Sequence, residues 1–317
     1  LKIAVVILNW NGAELLSRFL PSVVKYSDFA DVYVIDNAST DESISLLRTD
    51  FPHVKIIQLD KNYGYAGGYN KGLSQIEADI YALVNSDLEV TKHWLEPVRS
   101  HFANNPKTAV IQPKIKDYKD KTKFEYAGAA GGFIDFFGYP YCDGRILFKI
   151  EDDKGQYEQE KEIFWSSGAC LMVRSSVFKS LGGFDESFFA HQEEIDFCWR
   201  AQHQSHDIKY IPASTVYHLG GASLSNQNPF KTYLNFRNNL MMLLKNLPLQ
   251  LIPIVIFSRL LLDGLAGIMF IFQGKPRHSF AIIKAHFGFY RRIPAIWKKR
   301  PKKPVQKYYG SFSIFLK

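Results

Sequence analysis

Cysteine is scarce in this chain, and its scarcity removes several kinds of chemistry at once. Cys142, Cys170 and Cys198 are the only three in 317 residues, widely spaced and in no metal-ligand pattern. A disulfide scaffold and a structural zinc site are excluded on that count, and reduced, partly buried thiols of a cytosolic protein are expected. The amino terminus lacks a basic region followed by a long apolar run, so no signal peptide is expected. Asn62–Gly72 is rich in glycine but matches neither the Gly-x-Gly-x-x-Gly dinucleotide turn nor a phosphate loop ending in Gly-Lys-Ser/Thr. Asn9-Trp10-Asn11-Gly12 lacks the Lys or Arg that a triphosphate-binding nucleotidylyltransferase needs there.

Acidic residues vanish after Asp263. Gly264–Lys317 carries 12 Lys or Arg and no Asp or Glu, leaving the first 263 residues with 27 basic against 31 acidic side chains. A basic tail on a mildly acidic body suits a polyanionic partner, either nucleic acid or an anionic membrane leaflet. An ordinary balance of apolar and charged residues argues for a folded chain with ample core.

What is present is a regular alternation of strand and helix signals. Ile3–Leu8, Val32–Ile35, Val54–Leu59 and Ile80–Val84 read as strands. Helical patterns separate them at Ala13–Lys25, at Asp41–Arg48 and beyond the glycine-rich stretch, which reads as a loop, to about Ile76. This order predicts parallel strands with helices on both faces. Each strand ends in polar residues: Asn9-Trp10-Asn11, Asp36-Asn37, Asp60-Lys61-Asn62 and Asn85-Ser86-Asp87. Together they predict one polar rim where ligands bind open α/β sheets. Asp87 is a hard oxygen ligand suited to Mg²⁺ or Mn²⁺, or else the cap of a following helix.

Further along, a helix near Trp94–Ala103 and strands at Val110–Ile115, Ala169–Val173 and Ile208–Ile211 are expected, with Asp117–Glu162 irregular between them. Glu193, Glu194 and Asp196 open an evident helix. Acids there suit the helix dipole, and Asp196–Arg200 is an i,i+4 pair; one of the three could equally face the crevice as a general base. His218 follows a strand and precedes Gly220-Gly221, a position that could line a site.

These stretches, in this order, resemble the large inverting glycosyltransferase family 2 with the GT-A fold, and most closely its rhamnosyltransferase-like enzymes of bacterial surface-polysaccharide synthesis. The resemblance rests on Val5–Gly12, Val34–Asp41, Asn62–Gly72, Asn85–Asp87, Gly168–Arg174, Gly182–Glu186 and Glu193–Arg200. It implies a mostly parallel, Rossmann-like mixed sheet and transfer from a nucleotide diphosphate sugar (UDP- or dTDP-sugar) to a saccharide or lipid-linked saccharide. Donor contacts are then expected from Asn9, Asp36, Asn62, Gly64, Asn70, Asn85 and Ser86. The resemblance further implies that Asp87 is the acid of the Asp-x-Asp-type motif that binds Mg²⁺ or Mn²⁺, with Asn85 at the motif's first position, and that His218 matches a histidine that can complete the metal site. Glu194 is the expected base, with Glu193 and Asp196 as rivals.

In the carboxyl-terminal third, Phe230–Asn246 is amphipathic and basic. Leu247–Phe272 is strongly apolar but interrupted by Pro253, Arg259 and Asp263, so it reads as an interfacial helical hairpin with Arg259 and Asp263 paired, with a single membrane span as the alternative. Aromatics mixed with Lys and Arg over Ser279–Lys303 favour an anionic membrane surface over nucleic acid. The expectation is a catalytic domain over 1–225 and a helical, membrane-associating region over 226–317, peripheral or monotopic on the cytoplasmic face of the inner membrane. The alternatives are a polyprenyl-phosphate glycosyltransferase, a sugar nucleotidylyltransferase and a non-catalytic glycan-binding protein.

Overall fold

The computed structural model describes residues 1–147, 149–220, 228–305 and 308–314. The expected division at 225/226 and Gly221 lie outside the described residues.

The first half runs β1 (Ile3–Asn9), α1 (Ala13–Lys25), β2 (Asp31–Asp36), α2 (Ser43–Asp50), β3 (Lys55–Gln58), α3 (Gly64–Leu73), β4 (Ile80–Val84), β5 (Leu88–Val90), α4 (Glu96–Asn104) and β6 (Thr108–Asp117). Four short strands follow, β7 (Gly132–Ile134), β8 (Pro140–Cys142), β9 (Arg145–Ile146) and β10 (Lys149–Ile150). Then come β11 (Lys161–Glu162), β12 (Cys170–Arg174), α5 (Ser175–Ser180), α6 (Glu193–His203) and β13 (Asp207–His218). The chain closes with α7 (Pro229–Asn246), α8 (Ile252–Phe272), α9 (Pro276–Tyr290) and α10 (Ile293–Trp297).

Nine strands form the main sheet in the order β11-β13-β6-β12-β4-β1-β2-β3, with β5 also pairing to β13. β4, β1, β2 and β3 are parallel, as the alternation predicts, while β12 inserts antiparallel between β4 and β6. Every residue of β4 is buried, because neighbours flank both its edges and helices cover both its faces. The three cysteines are free and buried.

Three expectations are corrected. The glycine-rich stretch is not a loop: from Gly64 it is helix α3 itself. Its glycines serve helix-to-sheet contact, since a Cβ on Gly72 would lie 2.1 Å from Ile35 Cδ1. The 117–162 stretch is not irregular throughout, because β7–β10 build a separate four-stranded antiparallel sheet within it. Leu247–Phe272 does not fold back on itself. Pro253 sits in the first turn of α8, where a missing N–H costs nothing, so one helix continues to Phe272. The reversal comes afterwards, at Gly274 (φ +70°), and α8 pairs with α9. Among the described residues, Leu249–Phe272 is the one helical stretch long and apolar enough to cross a membrane by length and composition.

The polar residues of α7 face inward, contrary to a simple amphipathic reading. Asp196 of α6, fully buried, accepts from Lys245 Nζ at 2.9 Å and Asn246 Nδ2 at 2.9 Å, as well as from Arg200 Nε at 2.8 Å. Lys245 also reaches Asp185 at 2.8 Å. Removing one partner of a buried ion pair leaves charge uncompensated in a poorly solvated place. Lys245→Met should therefore lower unfolding free energy in urea by about 3–5 kcal/mol; a change under about 1 kcal/mol would show that the two carboxylates are rehydrated instead.

Candidate active site

The carboxyl ends of β1 to β4 meet along one edge, and their side chains are wired to one another. Asn9 Nδ2 donates to Asp36 Oδ1 and to Ser39 Oγ, each at 3.1 Å. Asp36 Oδ2 accepts the Ser39 amide at 3.0 Å. Asn37 Nδ2 donates to Asn62 Oδ1 at 3.0 Å, and Asn62 Oδ1 also accepts the Gly64 amide at 2.8 Å. A Cβ added at Gly12 would lie 2.5 Å from Asn9 Oδ1 and 3.9 Å from Ser86 Oγ, so Asn9, Gly12 and Ser86 adjoin. Asn9 Oδ1 is buried with no hydrogen-bond partner among protein groups. A buried acceptor left free in this way is a place for a ligand donor.

Asp87 does not cap a helix. The turn after β4 leads straight into β5, which pairs antiparallel with β13 so that Leu88 stands opposite His218. β13 arrives in that register because its pairing with β6 slips between Ile211 and Thr215. The result is a buried contact, His218 Nε2 to Asp87 Oδ1, at 3.0 Å. On the other side of the ring, Nδ1 lies 3.4 Å from Glu125 Oε1. Burial opposes charge on the imidazole, but the two carboxylates prevail and lift its pKa to about 10, so a cation using Nε2 must displace a proton from it.

A carboxylate and an imidazole converging at one point are a donor set that a divalent cation can use. Among the described residues, no three His, Cys, Asp or Glu side chains are arranged to hold a metal by themselves. The pair therefore fits an ion that takes its remaining ligands from substrate phosphates and water, as Mg²⁺ commonly does.

Glu194 reaches the same edge. β12 pairs with β4 through Cys170 and Val84, and the Asn85 amide donates to Ala169 O at 2.9 Å. A Cβ on neighbouring Gly168 would lie 3.0 Å from Tyr65 Oη and 3.9 Å from the Glu194 carboxyl carbon. Glu193 and Glu194 each keep a buried Oε2 without a hydrogen-bond partner. Burial pushes Glu194 up to about 7 although backbone amides at the start of α6 pull the other way. Glu193 is raised further by burial and by Glu194 itself.

Two candidates lie elsewhere. Asn70 is six residues into α3, and its amide is spent on the 182–186 turn: Nδ2 donates to Phe184 O at 2.8 Å and Oδ1 accepts the Phe184 amide at 2.9 Å. Asp196 is locked into the ion pairs with Arg200 and Lys245, which hold its pKa down against the cost of burial. Gly64 (φ +70°) does permit a close approach, but by Phe189: a Cβ would lie 2.7 Å from that ring.

Sequence reasoning missed Glu125, Asn238 and the strained turn between them and the acids. Phe189, His191 and Gln192 all have positive φ, at 68°, 70° and 75°. Asn238, fully buried in α7, donates through Nδ2 to Ala190 O and His191 O, each at 2.8 Å.

Residues 4–182 match the family model described as glycosyl transferase family 2. The chain belongs to that family. The low-salt glycan biosynthesis hexosyltransferase Agl10 of Haloferax volcanii is 26% identical over 74% of this chain and 73% of its own length. The N-acetylglucosaminyl-diphospho-decaprenol L-rhamnosyltransferase of Mycobacterium tuberculosis is 24% identical over 68% of this chain and 75% of its own. Among solved structures, GalNAc-T7 with UDP, GalNAc and Mn²⁺ superposes with a TM-score of 0.61 at 17% identity, over 76% of this chain and 48% of that one. The fold is GT-A and the protein is a glycosyltransferase, which sets aside the nucleotidylyltransferase and non-catalytic readings.

The raised pKa of Glu194 has a consequence for stability. A carboxyl whose folded pKa exceeds its ordinary value of 4.5 stabilises the fold fully below that value and loses the contribution as pH rises through about 7. Glu194→Gln should therefore gain melting temperature over the parent protein between pH 5 and pH 8. A difference that stays constant with pH would mean that the carboxyl is hydrated and unshifted.

Proposed function

We propose that this transferase moves a sugar, with inversion, from a nucleotide diphosphate sugar to a saccharide acceptor, lipid-linked by preference, on a membrane surface. The observation that carries the reading is the convergence of the Asp87–His218 pair and the Glu194 carboxyl on one edge of the sheet. Asp36, Asn9 and Asn62 form the polar rim beside them and would take the nucleoside, with Asn85 and Ser86 beside the diphosphate. Asp87 and His218 would hold Mn²⁺ or Mg²⁺, which neutralises the charge of the departing diphosphate.

Glu194 would accept the proton of the acceptor hydroxyl. The freed oxygen attacks the anomeric carbon from the face opposite the diphosphate, and the carbon–oxygen bond to the diphosphate breaks. One base and one displacement leave the anomeric centre inverted. A base with a pKa near 7 is half ionised at neutral pH, which suits proton transfer.

A lipid-linked acceptor and a membrane location are supported by the carboxyl-terminal helices. Phe257, Leu261 and Leu265, spaced four residues apart along α8, and Phe287 of α9 are each more than half exposed, apolar surface that water does not favour. Exposed Lys275, Arg277, Lys284 and Arg291 accompany it and suit anionic headgroups. The relative from Mycobacterium tuberculosis is named for a diphospho-decaprenol substrate. The side proposed is the cytoplasmic leaflet of the inner membrane.

Asp87→Ala should abolish donor turnover and weaken Mn²⁺-dependent binding of UDP or dTDP in calorimetry; near-normal turnover would sink the assignment. Glu194→Gln should bind donor normally yet transfer at least a hundredfold more slowly, and the parent kcat/KM should rise with pH through about 7. If Glu193→Gln behaves this way instead, the neighbouring acid is the base. On α8, Phe257→Asp with Leu261→Asp should halve co-sedimentation with anionic vesicles or better, while soluble nucleotide binding is unchanged. Equal sedimentation would show that this face packs on protein.

A further inference from the structure

The segment between β6 and β7 contributes one acid to the edge just described. The Glu125 amide donates to Ile115 O at 3.1 Å, which ties the residue to β6 beside the end of β13. Its side chain is buried, and Oε2 accepts a hydrogen bond from the Ala127 amide. Oε1 faces His218 Nδ1 at 3.4 Å, close but not aligned as a full hydrogen bond. On the remaining side stands Gly220 (φ +69°), where a Cβ would lie 3.0 Å from Oε1. Among the described residues, the ion pair that Glu125 makes is with His218, although Lys and Arg outnumber His fourfold in the chain.

An imidazole has two ring nitrogens, and a cation can use only one that carries no proton. Here Nε2 points at Asp87 and Nδ1 at Glu125. A carboxylate behind Nδ1 keeps the proton on that nitrogen, turns the Nε2 lone pair outward and fixes the ring plane. We propose that Glu125 is a positioning residue that holds His218 with Nε2 presented, together with Asp87, to a divalent cation. This rests on the reading of a cation at Asp87 and His218 given above. It also gives the 117–162 stretch a part in donor binding.

Glutamine at this position keeps the volume but has one acceptor oxygen. It can satisfy the Ala127 amide or His218 Nδ1–H, not both, so the ring loses its anchor. The test uses the full chain with Mn²⁺ alone and with Mn²⁺ plus UDP as probes. Continuous-wave paramagnetic resonance counts bound Mn²⁺, and the pulsed experiment reads the nitrogen coupling of a ligated imidazole. The parent protein should bind Mn²⁺ with a nitrogen coupling that His218→Ala removes. Glu125→Gln should bind Mn²⁺ roughly 10–100-fold more weakly, with the coupling diminished. Glu125→Asp retains the charge but is one methylene short, and should fall between the two; it carries the comparison if the glutamine variant does not fold. Affinity within twofold of the parent and an intact coupling in both variants would overturn the proposal, while loss of Mn²⁺ in Asp87→Ala would leave the cation reading standing. If the parent protein binds no Mn²⁺ with either probe, the cation reading falls and this inference falls with it.

Discussion

A single buried carboxylate sets the frame in which the site can exist. Asp196 is fully enclosed and takes hydrogen bonds from Arg200, Lys245 and Asn246. Arg200 continues to Leu181 O and Gly183 O, and Lys245 to Asp185, which Lys299 also reaches at 2.6 Å. One acid thus joins the helix bearing Glu193 and Glu194 to the glycine turn before it, to α7 and to the basic tail. Buried ion pairs of this kind add little net stability over an apolar packing of the same shape. Their contribution is exclusion: an arrangement of α6 and α7 that leaves Asp196 unpaired is heavily penalised, and an apolar contact would not discriminate so sharply.

That frame makes the turn before α6 tenable. Three non-glycine residues with positive φ within four positions cost on the order of 1–3 kcal/mol each and persist only when their surroundings over-determine them. Here the surroundings come from α7, where Asn238 and Arg237 hold the carbonyls of Phe188, Ala190 and His191. The turn ends with two acids at a helix amino terminus, each with one carboxyl oxygen buried and unpaired. A buried carboxyl oxygen without a partner is costly, and structure spent on presenting two of them argues for use rather than packing. The carboxyl-terminal helices are accordingly part of how the acids are aimed.

Local pattern carried the parallel strands and the polar rim. Apolar runs that stop at Asn9, Asp36 and Asn85 say where a buried strand meets solvent, and that edge is where the rim formed. What was not legible depended on contacts far apart in sequence. Glycine in α3 looks like a loop because helix propensity penalises it; only the approach of Ile35 to Gly72 reveals that its missing side chain is the point. Asn70 sits beside glycines and resembles a ligand contact, but its partner, Phe184, is 114 residues away. Glu125 had no motif at all: it meets His218 only because β13 slips register against β6.

On the membrane reading proposed above, the apolar helix α8 lies on the bilayer rather than through it. Its two charged residues point the same way, inward. Arg259 pairs with Asp263 at 3.1 Å and lies over the Tyr139 ring at 3.6 Å, while Asp263 also meets His286 of α9 at 3.2 Å. These contacts bind α8 along one face to α9 and to the β7–β8 turn, so that face is not available to lipid. The opposite face, with Phe257, Leu261 and Leu265, is the exposed one. A helix crossing a bilayer meets hydrocarbon all round unless it has partners at that depth, and its partners here belong to the body that carries the active site. Lying flat, the hairpin would sink its apolar face among acyl chains with Lys284 and Arg291 near headgroups. The catalytic edge would then stay close to the leaflet, where a lipid-linked acceptor presents its sugar.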